Sequence, residues 1–278
     1  MWSELIATIS RNLIEISNST SSTMIVGICG AQGSGKSTAA EALANKLESL
    51  GKSVAVLSLD DLYLSHGSRR RLAIEIHPLL ATRGPPGTHD VALGERTLVQ
   101  LGRRGRTALP RFDKAHDSAK ALAEWPEVEG PVDVILFEGW CVGALPQTAD
   151  QLAVPMNELE RRGDPDGVWR QFVNDALADD YQKLFALIDQ LILLAAPEFS
   201  VVTRWRRQQE HQLRARLLHE GLPLAMTMDD TEIDDFVQHY ERLTRHILNE
   251  MPGRADLTIM LDAERNVAGC RHRQREGR

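Results

Sequence analysis

Between Gly30 and Ser37 the chain reads GAQGSGKS, an instance of G-x-x-x-x-G-K-[ST], with the apolar run Met24–Cys29 before it and a helix-forming stretch, Ser37–Leu50, after it. That order dictates a strand, a glycine-rich turn and a helix whose first N–H groups face the turn, which together make a cradle for phosphate. The nucleotide-binding segment is expected to be Gly30, Ala31, Gln32, Gly33, Ser34, Gly35, Lys36, Ser37 and Thr38. Lys36 should reach the β/γ-phosphates of a nucleoside triphosphate and Ser37 should hold Mg²⁺. A dinucleotide fingerprint fails here, because it needs glycine where Thr38 stands.

Strand-length apolar runs recur at Ser53–Leu59, Val132–Phe137, Gln190–Ala196 and Leu257–Leu261. Continuous rather than alternating hydrophobicity predicts strands buried on both faces. Ala39, Leu43, Leu47 and Leu50 form a one-sided stripe ending at Gly51, and Ile233, Phe236, Val237, Tyr240, Leu243, Ile247 and Leu248 form another. Alternation of strand and helix predicts an α/β fold, a three-layer doubly wound parallel sheet of about five strands with right-handed crossovers. Residues 1–23 read as an amphipathic helix and a polar linker (Asn18–Thr23), and 24–278 as a single domain. His66–Thr88 shows little periodicity and several Gly and Pro residues, so a long loop over the carboxyl ends of the strands is expected there.

Composition narrows the partners. A net charge of -7 does not suggest a nucleic-acid or membrane-surface protein. Twenty-six of the 32 basic residues are arginine, a side chain whose planar fork suits carboxylate and phosphate, although host codon usage would give the same count. Three scattered cysteines and an N-terminus without the pattern of a signal peptide point to the cytoplasm. No run is long enough to span a bilayer. Oligomeric state is not readable from the sequence.

Three further stretches carry chemistry. LSLDDLY, Leu57–Tyr63, places Asp60 and Asp61 at the end of the second strand, where one carboxylate can orient an acceptor hydroxyl and take its proton while the other shapes the turn. VILFEGW, Val134–Trp140, places Glu138 in the Walker-B position for organising Mg²⁺. In RWRRQQEHQLRARL, Arg204, Arg207, His211 and Arg214 share one helix face. That face is either solvated or a lid that closes over the triphosphate.

The N-K-x-D and D-x-x-G motifs of GTPase switches are absent, as is the L-S-G-G-Q signature of ABC-type ATPases. A small-molecule kinase fits the unassigned material between the second and third strands. GICGAQGSGKST, SLDDLYL, RGPPGTHD, LPRFDKAHDSAK, WPEVEGPVDVILFEGW and RWRRQQE, in that order, resemble the plant-type D-glycerate 3-kinases and their bacterial relatives. More distantly they are similar to uridine kinase, phosphoribulokinase and bacterial pantothenate kinase. The chain departs from the plant pattern at Leu62 and at RFDK, Arg111–Lys114.

The resemblance implies a phosphotransferase using ATP and Mg²⁺, with D-glycerate, a small hydroxy acid, as acceptor. It implies catalytic roles for Lys36, Asp60, Glu138, Arg204 and Arg207. Acceptor contacts are expected among Asp61, Tyr63, Gly87, His89, Asp90, Arg111 and Lys114. Arg83, Arg111 and Lys114 are the available partners for an acceptor carboxylate. A kinase of the same mechanism acting on a nucleoside or pantothenate-like alcohol, and a regulatory P-loop ATPase without a small-molecule acceptor, remain alternatives at this level.

Overall fold

The computed structural model describes residues 2–20, 22–221 and 227–273. Ser21 of the expected linker, and Met1, 222–226 and 274–278 of the expected segments, lie outside them. The main sheet has six strands: β1 (Met24–Gly30), β2 (Val54–Ser58), β3 (Val134–Gly139), β4 (Gln190–Ala195), β5 (Leu257–Leu261) and β6 (Val267–His272). The longer helices are α1 (Trp2–Asn18), α2 (Lys36–Ser49), α3 (His66–Glu75), α4 (Val91–Leu101), α5 (Val168–Ala178), α6 (Phe199–His219) and α7 (Asp230–Glu250).

The spatial order is β6-β5-β4-β1-β3-β2. The first five strands are parallel, and β6 is an antiparallel addition hairpinned to β5. Alternate residues of β3 feed opposite faces: Ile135 and Phe137 join the cluster of Leu59, Leu98 and Tyr240, while Val134 and Leu136 join that of Leu43, Leu47 and Val202. Each fully buried aliphatic side chain contributes about 1.5–3 kcal/mol, so two continuous clusters hold the helices on both faces. Helix α1 buries Ile6, Ile9 and Leu13 against the second cluster, and so packs on the sheet domain rather than standing off it.

β1 and β2 are not neighbours, because β3 lies between them. Ile28 is level with Glu138, and Glu138 with Ser58, so the carboxyl ends of all three strands finish side by side. A 3-10 turn, Leu59–Leu62, then carries Asp60 back toward the phosphate loop, with the Ser58 hydroxyl accepting from the Asp60 N–H at 3.3 Å.

The stretch expected to be a long loop contains α3 and a 3-10 turn at Pro78–Ala81. The Ser65 side chain caps α3, accepting from the Ser68 N–H at 3.1 Å. The residue this helix buries is Arg69, which donates to the carbonyls of Leu64 and Ala81 at 3.2 and 3.0 Å. A helix anchored by a cation carries no apolar stripe, so hydrophobic periodicity has nothing to detect.

Candidate active site

The phosphate loop turns as its glycines require. Gly33 has φ of 71°, and a Cβ there would stand 2.8 Å from the Cβ of Trp205 on α6, so only glycine lets loop and helix approach this closely. Gly35 caps α2 with no side-chain hydrogen bond. The first N–H groups of the helix are therefore left facing the loop. Ser34 closes the turn, its N–H donating to the Ala31 carbonyl at 3.1 Å.

Ser37 lies in the first turn of α2, and its Oγ donates to Glu138 Oε1 at 3.0 Å. Glu138 is 4% exposed, and its Oε2 has no hydrogen-bond partner among the described residues. A buried carboxylate oxygen without a donor is costly. A hard divalent cation is the species that an oxygen pair such as Ser37 and Glu138 satisfies.

Across a cleft of about 550 Å³, Lys36 and Ser37 face Asp60, Tyr63, Arg83, Lys114 and Tyr240. Asp60 accepts from the Tyr63 hydroxyl at 2.7 Å and from Lys114 Nζ at 2.5 Å. Burial works against its charge, but Lys114 and Lys36, with the Lys114 and Tyr63 hydrogen bonds, hold the carboxyl well below the usual range. Burial, then the Asp60 charge, pushes the Tyr63 hydroxyl upward, so it stays a donor. Arg83 donates to Asp117 at 2.7 Å, and Arg69 and His66 hold the same carboxylate. Tyr240 donates to the Arg83 carbonyl at 2.8 Å. Next to it, a Cβ on Gly84 (φ 121°) would fall 2.0 Å from that hydroxyl.

Five expected acceptor contacts support the cleft from behind instead of lining it. Asp61 accepts from the Phe112 N–H at 3.0 Å and from Arg111 at 3.3 Å, which occupies both residues in holding the segment that carries Lys114. Asp90 caps α4, accepting from the Leu93 N–H at 2.8 Å. His89 stacks on Tyr63 with ring centres 4.8 Å apart, and its Nδ1 lies 2.5 Å from the Tyr181 hydroxyl. Burial lowers its pKa to about 4, so it is neutral at pH 7. Gly87 donates to the Tyr181 hydroxyl at 3.1 Å.

The expected arginine face of α6 does not line the cleft. Arg204 donates to the Ala263 carbonyl at 3.1 Å, Arg207 pairs with Asp234, His211 with Asp230 at 2.7 Å, and Arg214 reaches the Met228 carbonyl at 3.5 Å. That face meets α7 and the β5–β6 hairpin. Arg206, Gln209 and Arg216 line the cleft instead. The rotation is set by Trp205, 1% exposed against Gly33 and donating to the Ala263 carbonyl at 2.8 Å. Its burial outweighs any arrangement of exposed charges. Tyr240, expected only as core, and Asp117 were not singled out by sequence reasoning. Tyr240 belongs to an apolar stripe, and the role of Asp117 exists only through contacts distant in sequence.

A family model describing the methylmalonyl Co-A mutase-associated GTPase MeaB matches residues 6–68, the part bearing the phosphate loop. Over 226 residues the chain is 38% identical to the kinase mug58 of Schizosaccharomyces pombe, described as uncharacterized, covering 78% of each chain. It is 32% identical over 261 residues to the chloroplastic D-glycerate 3-kinase of Arabidopsis thaliana, covering 87% of this chain and 53% of the plant protein, about half its length. The solved D-glycerate 3-kinase of Cryptococcus neoformans superposes with a TM-score of 0.79 and 27% identity, over 97% of this chain and 98% of that one.

Proposed function

This chain belongs to the D-glycerate 3-kinase family of P-loop kinases, and we propose on that premise that it transfers the γ-phosphoryl group of ATP to a hydroxyl of D-glycerate. The observation that carries the proposal is the convergence, in one cleft, of Lys36 and Ser37 with Asp60 and with the cations Arg83 and Lys114. The first pair suits a triphosphate, Asp60 suits a hydroxyl, and the cations suit a carboxylate. Residues 24–278 act as one kinase domain, with 1–23 as its N-terminal extension.

Mg²⁺, held by Ser37 and organised by Glu138, would offset charge on the β- and γ-phosphates. Lys36 and the loop N–H groups bind the phosphates and stabilise the charge that moves onto the leaving ADP. Asp60 orients the acceptor hydroxyl and takes its proton as the new P–O bond forms and the bond to ADP breaks. A carboxylate held this far down is a weak base, which suffices when proton transfer is late in a loose transition state. Arg206 and Arg216, rather than Arg204 and Arg207, face the phosphates from α6.

Arg83 is the anchor for the acceptor carboxylate. Asp117 fixes its guanidinium and leaves N–H groups for the cleft, whereas Arg111 is spent on Asp61. Arg83→Gln is expected to raise KM for D-glycerate roughly 10- to 100-fold, with KM for ATP within about threefold of wild type. Steady-state titration of each substrate measures both. A panel of hydroxyl acceptors in an ADP-release assay tests the function itself. Turnover is expected with D-glycerate, and turnover confined to a nucleoside or a pantothenate-like alcohol overturns the acceptor.

The acceptor being a small hydroxy acid, no nucleic-acid or membrane partner is required. Among the described residues no helix is long and apolar enough to cross a membrane. The buried free thiols Cys29 and Cys141 support a reducing compartment such as the cytoplasm.

A further inference from the structure

The phosphate loop has two open sides. Lys36 and Ser37 border the cleft that contains Asp60, but Ser34, Gly35 and Thr38 border a second cavity of about 830 Å³, between α1 and α2. A triphosphate whose γ end faces Asp60 directs its other end along the loop, across Gly35 and Thr38. Its nucleoside then enters the second cavity. The walls there include Trp2 and Ile6 of α1 and Ala39 and Ala42 of α2, with Thr38, Asn45, Lys46 and Arg265 among the polar groups at its edges. Apolar walls with a few placed polar groups, in a space of this size, are the usual make-up of a nucleoside-sized site.

Trp2 is fixed in that wall. Its indole N–H donates to the Arg265 carbonyl at 3.2 Å, while Arg265 Nε donates to the Gly33 carbonyl at 2.6 Å and its guanidinium lies 5.2 Å over the Trp205 ring. Arg265 holds φ of 67°, a left-handed conformation uncommon for a residue with a side chain. One strained arginine thus ties the first turn of α1 to the phosphate loop and to α6.

We infer that the nucleoside of the phosphoryl donor seats in this second cavity against Trp2, so that the N-terminal helix supplies a wall of the donor site. The inference rests on the proposed use of ATP and not on the identity of the acceptor. It is tested on the full chain by calorimetric titration with ADP and, separately, with inorganic tripolyphosphate, which engages the phosphate loop alone.

Trp2→Ala is expected to weaken ADP about 10-fold, the effect of losing one aromatic face from a base, and to leave tripolyphosphate unchanged. Trp2→Phe should recover most of the loss. Ala42→Phe, at an exposed position of α2, fills the cavity without removing packing and should also weaken ADP selectively. Unchanged ADP affinity in both Trp2→Ala and Ala42→Phe overturns the inference, as does equal weakening of ADP and tripolyphosphate. A protein that discriminates ADP from tripolyphosphate through Trp2 yet does not phosphorylate D-glycerate would overturn the acceptor assignment and sustain this one.

Discussion

Asp60→Asn is expected to lower kcat by roughly 10²- to 10⁴-fold while ADP affinity stays within a factor of a few. The amide keeps the shape of the side chain, and its oxygen can still accept from Tyr63 or Lys114. It loses the charge and the ability to take the proton of the acceptor hydroxyl. Lys36 and the loop, the proposed phosphate contacts, make none of the hydrogen bonds described for Asp60, which go to Ser58, Tyr63 and Lys114, so nucleotide binding is a control within the same variant. Full activity in Asp60→Asn would remove the residue from the role.

The same substitution has a signature in stability. Because the Asp60 pKa is depressed by folding, its ionisation contributes stability above its unfolded pKa of about 3.9, and this is lost as pH falls through the folded value. The stability difference between wild type and Asp60→Asn should therefore be constant near neutrality and shift in the wild type's disfavour below about pH 4. Denaturant midpoints across that range measure it.

Glu138→Gln is expected to lower kcat by roughly 100-fold or more, with a raised Mg²⁺ requirement, and at the same time to raise Tm by about 2–4 °C. The two effects have one cause. Among the described residues the buried Glu138 carboxylate has one hydrogen bond, from Ser37, and one oxygen without a donor, an arrangement that costs stability unless a cation meets that oxygen. Glutamine is close to isosteric and neutral, and relief of about 1 kcal/mol accounts for the rise. It is also a poorer partner for a divalent cation. Thermal melts with and without Mg²⁺, beside a Mg²⁺ titration of activity, separate the two terms. A lower Tm with unchanged Mg²⁺ dependence would make Glu138 a structural residue.

How legible each part was depended on the range of the interaction that positions it. The five parallel strands fall where the apolar runs lie, because a strand buried on both faces must be apolar at every position. The sixth strand, Val267–His272, is largely exposed, and a half-solvated edge strand gives no such run. On α6, the sequence displays five arginines and one tryptophan. The cations are visible as a face, yet the tryptophan decides which face turns inward.

The residues expected at the acceptor divide in the same way. Asp61, Arg111, His89 and Asp90 lie in the right segments, but each is already engaged by a neighbour: Asp61 and Arg111 by one another, His89 by Tyr181, and Asp90 by the start of α4. Arg83 and Lys114 are engaged too, by Asp117 and Asp60, but they line the cleft.

What the sequence by itself determined is the shape of the proposed donor half of the site. Gly30 to Thr38, with the strand before and the helix after, is a contiguous device, and local backbone geometry is enough to build it. Glu138 follows from the strand it ends. The tertiary structure alone decided which cations and which arginines of α6 line the cleft, and that α1 closes a cavity beside the loop. These depend on Trp205 packing on Gly33, Asp117 gathering Arg69 and Arg83, and Trp2 meeting Arg265. Each of those contacts joins residues tens to hundreds of positions apart, and no local pattern encodes a partner at that distance.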